Sequence, residues 1–264
     1  MTGDVAHSII VDRDNVTIDG AGYALLGNLG NYSGSVRLNH RQGVTVRNLV
    51  VKDMDTAFDL SLASDNTIVG NTIINSGKGV YFWISWRNNV SENTIINASY
   101  GFYFLGSPTA SSQYNAITGN TVIDSQIGLS LSEPNNIFSD NIITSSHVGV
   151  SLSSYQNLFR NNIINSTGIG FKASSYDNDI DESNLVNGRP IIYWNGRQDE
   201  TVPSDAGYVL LYNCENVTTQ NLQLSGVNIA STNSSLISGN TISGGDGGVQ
   251  MLESYNNTVR ATQF

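Results

Sequence analysis

Short apolar residues along this chain alternate with polar ones over four to six positions, stop at a Gly or Asn, and start again. The stretch "NTIINSGKGVYF" at 71–82 returns as "NTIINASYGFYF" at 93–104. The apolar position of "NTI" recurs at Leu49, Ile73, Ile95, Val122, Ile142, Ile163, Leu185, Leu222 and Ile242. Its spacing is about 21 residues, with two enlarged members, which is the mark of a solenoid. Each unit holds three strand patterns. The first is "NTII". The second follows a Gly and pairs Val80 with Phe82, Phe102 with Phe104, Leu129 with Leu131, Val150 with Leu152 and Phe171 with Ala173. The third is centred on Ile68, Val90, Ile117, Ile137, Leu158, Ile180, Val217, Ile237 and Val259. Alternation this short predicts strands with one buried face, and Gly and Asn between them supply positive-φ corners. No stretch carries a sustained helical period.

Three strands per unit predict an all-β chain folded as a right-handed parallel β-helix of about ten rungs. Residues 1–264 form one domain, with insertions at about 106–113 and 187–206, the second expected as a hairpin lifted off the rod. Residues two before the third-strand centre read Asn66, Asn88, Asn115, Asn135, Gln156, Asn178 and Asn257, so a ladder of stacked amides is expected.

Composition narrows the function. Charged residues are 13% of the chain, about half the usual ~25%, and the net charge is −10. A nucleic-acid surface needs a basic stripe, and none is present. No apolar run is long enough to span a bilayer. The single cysteine, Cys214, gives no disulfide framework and no thiolate cluster. Both chain ends break into the repeat, as expected of a fragment of a longer exported protein.

"SIIVDRDNVTIDGAGYAL" near the start and "NLVNGRPIIYW…VPSDAGYVLLYNCENVTTQNLQL" from Asn184 to Leu224 resemble the NosD-like, carbohydrate-binding and sugar-hydrolase group of β-helix proteins, in their archaeal surface form. The resemblance implies an exported protein of the cell surface or extracellular space. It assigns no reaction, because the group is functionally mixed.

Candidate chemistry is sparse. The outward column of the first strand reads Asn48, Thr72, Thr94, Thr121, Asn141, Asn162, Asn184, Asn221 and Thr241, without acid or base. Glycoside hydrolysis asks for two carboxyl groups ~5–10 Å apart, and β-elimination for a base beside a cation. No catalytic residue is therefore assigned. A polysaccharide lyase or hydrolase remains the alternative, with carboxylates from Asp53, Asp55, Asp59 or the 177–182 cluster. That cluster, Asp177, Asp179, Asp181 and Glu182, is a weak Ca²⁺ candidate, because hard cations want several oxygens at one point. Copper handling, a further alternative, needs His, Cys or Met gathered together, whereas His7, His40, His147, Met1, Met54 and Met251 are scattered. The outward column of the second strand reads Asp59, Tyr81, Tyr103, Ser130, Ser151, Lys172 and Gln250. Tyr81 and Tyr103, with Trp83 and Trp86, form either a satellite core under the 106–113 loop or the candidate ligand face for a polysaccharide or a cell-surface partner. Tyr155, Tyr176 and Tyr255 recur at one turn and are read as stacking elements of that corner.

Overall fold

The computed structural model describes residues 2–6, 8–27, 35–107, 109–243 and 248–264. It is all-β, a right-handed parallel solenoid of about 11 turns. The first and second strands of a coil run into each other as one bent strand, as in Thr72–Trp83 and Thr94–Leu105. The bend falls at residues with positive φ, Asp53, Asn75, Asn97 and Ser145, where Asn and Asp tolerate the left-handed region best. These strands form a 16-stranded sheet, and the short third strands form an eight-stranded sheet across the core. Equivalent residues fall in register from coil to coil: Ile73 pairs with Ile95 and Ile95 with Val122, while Phe82 pairs with Phe104 and Phe104 with Leu131. Inside, rings follow one another along the axis. Phe82 stacks on Phe104 at 4.0 Å, and Phe104, Phe138, Phe159, Phe171 and Tyr208 continue the column at 5.1–6.0 Å. Each such pair adds about 0.5–1.5 kcal/mol beyond its burial.

The glycines before the second strand have a different role from the corners expected of them. Gly79, Gly101, Gly128 and Gly149 do not adopt positive φ. A Cβ on Gly101 would lie 2.5 Å from the Gly128 carbonyl oxygen and 2.9 Å from Val122. The glycine column thus makes room for the aliphatic residue of the next coil.

Two asparagine ladders, not one, run through the wall. The first is Asn66, Asn88, Asn115, Asn136, Asn157 and Asn178, so Asn135 and Gln156 give way to their neighbours. The second is Asn71, Asn93, Asn120, Asn141, Asn162 and Asn184. In most rungs the side-chain oxygen accepts the preceding asparagine's backbone N–H and side-chain amide, while its own amide donates to the next oxygen and to a carbonyl; the Asn136 amide donates instead to the Ser112, Glu133 and Pro134 carbonyls. These residues are buried, and their pairing meets the requirement that buried polar groups be satisfied.

The ladders correct the register of several coils. Phe138 and Phe159 point inward where Ile137 and Leu158 were expected, and Ile137 is 40% exposed. Ile143, Ile164 and Val186 likewise replace Ile142, Ile163 and Leu185. The doublets Asn135-Asn136 and Asn161-Asn162 offer two frames, and a slip of one residue exchanges the faces of a strand. Leu49, Leu222 and Val217 occupy ladder positions at the ends, where Asn71, Asn240 and Ser235 receive their backbone N–H groups. The outward column of the first strand is accordingly Thr72, Thr94, Thr121, Ile142, Ile163 and Leu185. Asn141, Asn162 and Asn184 are interior, and Asn48 and Asn221 are positive-φ corners.

The expected second insertion is part of the stack. Leu185–Val186 and Arg189–Asn195 do make a tight antiparallel hairpin, turning at Asn187 and Gly188, both with positive φ. From there the chain does not lift off. Arg189–Asn195 pairs in parallel with Tyr208–Tyr212, which pairs with Val227–Ala230, and Ile191 and Ile192 are both buried. Ile191, Tyr208 and Leu210 close the end of the first core. Ile192, Val209 and Leu211, on the other face, begin a second core with Cys214, Val227 and Ile237. The molecule is two stacks of coils sharing a wall buried on both faces.

Candidate functional site

On the outer face of the second strand, register brings Asp59, Tyr81, Tyr103, Ser130, Ser151 and Lys172 into one column. Tyr81 and Tyr103 stack with centroids 5.8 Å apart and planes 22° apart. Tyr100 lies 4.5 Å from Tyr103. The neighbouring outward column carries Thr56, Lys78, Tyr100 and Ile127. The Lys78 ammonium sits 5.7 Å from the Tyr81 ring and 3.8 Å from the Asp55 carboxylate. Partial burial, then Asp59 and Tyr103, raise the Tyr81 phenol above its usual range, so it stays a neutral donor at neutral pH. Trp83 follows on the same face and pairs with Leu105. Trp86 lies beyond the bend, bridged to Ser64 and Gln113 at the corner leading to the third strand. The structure therefore gathers Tyr81, Tyr103 and Tyr100, with Trp83 adjoining, and sets Trp86 on the next edge. Tyr100 shares the parity of inward Phe102 and Phe104, so alternation alone would place it inside; the consecutive buried pair Gly101 and Phe102 breaks the alternation and turns it outward.

The first insertion packs beside this face. A Ser107–Ala110 turn leads to buried Ser112, whose N–H donates to Glu133 at 3.0 Å and whose hydroxyl donates to the Leu105 carbonyl. Pro108 lies outside the described residues. Glu133 is 7% exposed. Burial raises its pKa above 4.5, opposed by hydrogen bonds from the Ser112 backbone and the Ser111 side chain. It had not been singled out, because nothing in "SEPNN" distinguishes a loop clamp from a solvated acid.

Several of the other candidate acids are already engaged. Asp53 accepts from Asn75, and Asp59 from the Ser61 backbone and hydroxyl. Asp179 and Asp181 both pair with Arg160, at 2.7 and 3.0 Å, and Ser183 also bonds Asp181. Asp177 is exposed at the corner next to Tyr176, and Glu182 is exposed beside Asp181. Among the described residues no group of three or more His, Cys, Asp and Glu converges as a metal site. Of the corner tyrosines, Tyr155 and Tyr255 are exposed, while Tyr176 stacks on Tyr212 at 5.8 Å.

With this geometry in hand, the likeness to known proteins can be read. The family model of the periplasmic copper-binding protein NosD matches residues 2–137, about half of the chain. The chain belongs to this family. No curated protein matches it. Among solved structures it is similar to an alginate lyase from Paenibacillus, at 13% identity and TM-score 0.50, covering 97% of this chain and 91% of the lyase. It is also similar to the tailspike protein of E. coli bacteriophage HK620 in complex with a hexasaccharide, at 13% identity and TM-score 0.57. That match covers 98% of this chain and 54% of the tailspike. At such identity the likeness establishes the fold.

The copper of the family's description finds no matching donor set among the described residues. His40 and His147 lie in separate coils, Met54 is buried in the first core and Cys214 in the second. Met1 and His7 lie outside the described residues. Among the described residues no helix is long and apolar enough to cross a membrane.

Proposed function

We propose that this NosD-family rod is an exported polysaccharide-contacting protein whose ligand face is built on Tyr81 and Tyr103. The observation that carries the reading is the break in the outer column. Two stacked tyrosines, reinforced by Tyr100, give way in the next coils to Ser130 and Ser151. A ring edge standing beside short side chains forms a step against which a sugar ring can pack, with the Tyr81 phenol, Lys78 and Asp59 placed to meet hydroxyl groups. The interior needs no tyrosine at these positions, since Phe82 and Phe104 fill the core from the same strands. The export assignment draws support from the periplasmic description of the family, and the polysaccharide class from the alginate lyase and the hexasaccharide-bound tailspike.

The test is a binding screen of the purified protein against neutral and uronic-acid polysaccharides, with product analysis. Tyr81→Ala and Tyr103→Ala should each lower affinity about 10-fold or more while leaving circular dichroism unchanged. Unchanged binding in both variants refutes the assignment. Release of unsaturated or reducing sugars, lost on Asp55→Asn or Asp59→Asn, would convert the reading to an enzyme.

A further inference from the structure

We infer a second saccharide site, in the cleft where the two stacks of coils meet. The hairpin at Asn187 and Gly188 breaks the coil-on-coil rule. At this seam lies a cleft of about 380 Å³, within the range of small-ligand pockets, which favour such junctions. The first stack contributes Tyr155 and the segment Ser174 to Asp177, and the second contributes Tyr212, Ser231 and Glu253.

Three features make the cleft a built site. Tyr176 and Tyr212, one from each stack, lie parallel within 15° at 5.8 Å. The Tyr193 hydroxyl donates to the Tyr176 carbonyl and accepts from the Asn178 N–H, which holds that pair in place. Tyr155 stands at the rim, 50% exposed, with an aromatic face free for stacking. Asp177 and Glu253, both exposed, supply carboxylates without a lysine or arginine in the lining. Rigid aromatic walls with acceptor-only carboxylates suit a ligand that is flat on one side and rich in donors at its edge. A hexose is such a ligand, and an amino-hexose adds a cation the carboxylates attract. A uronate is disfavoured, because its carboxylate meets like charge. The junction is stiffened by buried Asn228, whose amide donates to the Ala173 carbonyl at 2.8 Å across the seam.

This site is independent of the Tyr81 face, and one experiment separates them. Calorimetric titration of the full chain uses cellohexaose, a glucosamine hexamer and a polygalacturonate hexamer as probes. The expected result is saturable binding of at least one of the first two. In the Tyr81→Ala background, where the tyrosine face is already weakened, a saturable component of that binding should persist, and adding Tyr155→Ala or Glu253→Gln should weaken it about 10-fold or more. Tyr155 and Glu253 are exposed, so both variants should fold, which thermal melting checks. The proposal is overturned if neither hexamer binds, if that component survives both seam variants, or if polygalacturonate binds there more tightly. Loss confined to Tyr81→Ala overturns the seam site and leaves the tyrosine face standing.

Discussion

The strongest quantitative expectation concerns Asn115, which is 0% exposed at the middle of the first ladder. Its side-chain oxygen accepts the Asn88 backbone N–H at 3.1 Å and the Asn88 amide at 3.0 Å. Its amide donates to the Ser85 carbonyl and the Asn136 oxygen, both at 3.0 Å. Asn115→Ala removes all four bonds. The Ser85 carbonyl keeps the Gln113 N–H, the Asn136 oxygen keeps the Asn115 backbone, and the Asn88 amide keeps the Ala63 carbonyl. The Asn88 backbone N–H loses its partner and stays buried. One orphaned donor costs about 1–3 kcal/mol, and the other lost bonds a further fraction each, for a total of about 3–5 kcal/mol. In a domain of this size that lowers Tm by roughly 6–20 °C. Differential scanning calorimetry of Asn115→Ala against Asn165→Ala, an exposed asparagine on the strand Ile163–Ala173, measures it. The control should stay within about 0.5 kcal/mol of wild type. A loss under about 1 kcal/mol in Asn115→Ala would falsify the claim that the ladder bonds are a main support of the wall.

Other outcomes follow from the same geometry. Gly101→Ala forces a Cβ against the Gly128 carbonyl oxygen and Val122 and should cost about 1–3 kcal/mol by urea titration. Arg160→Ala releases Asp179 and Asp181 from partly exposed pairs. It should cost under about 1 kcal/mol, a difference that shrinks in 1 M salt. For Glu133, the folded-state pKa lies above 4.5, so the folded state holds its proton longer than the unfolded chain. Stability from this group is therefore greatest below pH 4.5 and falls as pH rises through the folded pKa. Glu133→Gln keeps an acceptor for the Ser112 N–H and should flatten that part of the Tm-against-pH curve. An unchanged slope would refute the burial argument.

The repeat was legible because a solenoid writes its core in period: Val80, Phe82, Phe102 and Phe104 point where their alternation says. Tyr81 and Tyr103 were legible for the same reason, as large residues at an outward parity. The strands at Ile137, Ile142, Leu158, Ile163 and Leu185 are shifted by one residue from the expectation because "NNI" and "NNII" satisfy either frame and only the continuous amide ladder selects one, whereas Val150, Phe171, Asn178 and Ile180 lie where the pattern puts them. The turn at Asn187 was not visible: the sequence suggested a hairpin between "PIIYW" and "TVP", whereas the chain reverses before Arg189 and Arg189–Asn195 pairs in parallel with Tyr208–Tyr212. Whether Ile191 and Ile192 face solvent or two separate cores depends on Tyr208, Leu210 and Val209, which come later in the chain. The seam cleft was hidden for the same reason, since Tyr155 and Glu253 are brought together by the stacking of stacks.

The sheet of Arg189–Asn195, Tyr208–Tyr212 and Val227–Ala230 therefore acts as a bulkhead. Side chains on its two faces belong to different cores, so a void opened at Ile237 cannot be relieved by movement at Phe171. Damage in the last coils, where Met251, Leu252 and Val259 are already exposed, stops at this partition. Hydrogen exchange should show the C-terminal compartment opening first, with the amides of the longer stack still protected behind Tyr208 and Leu210.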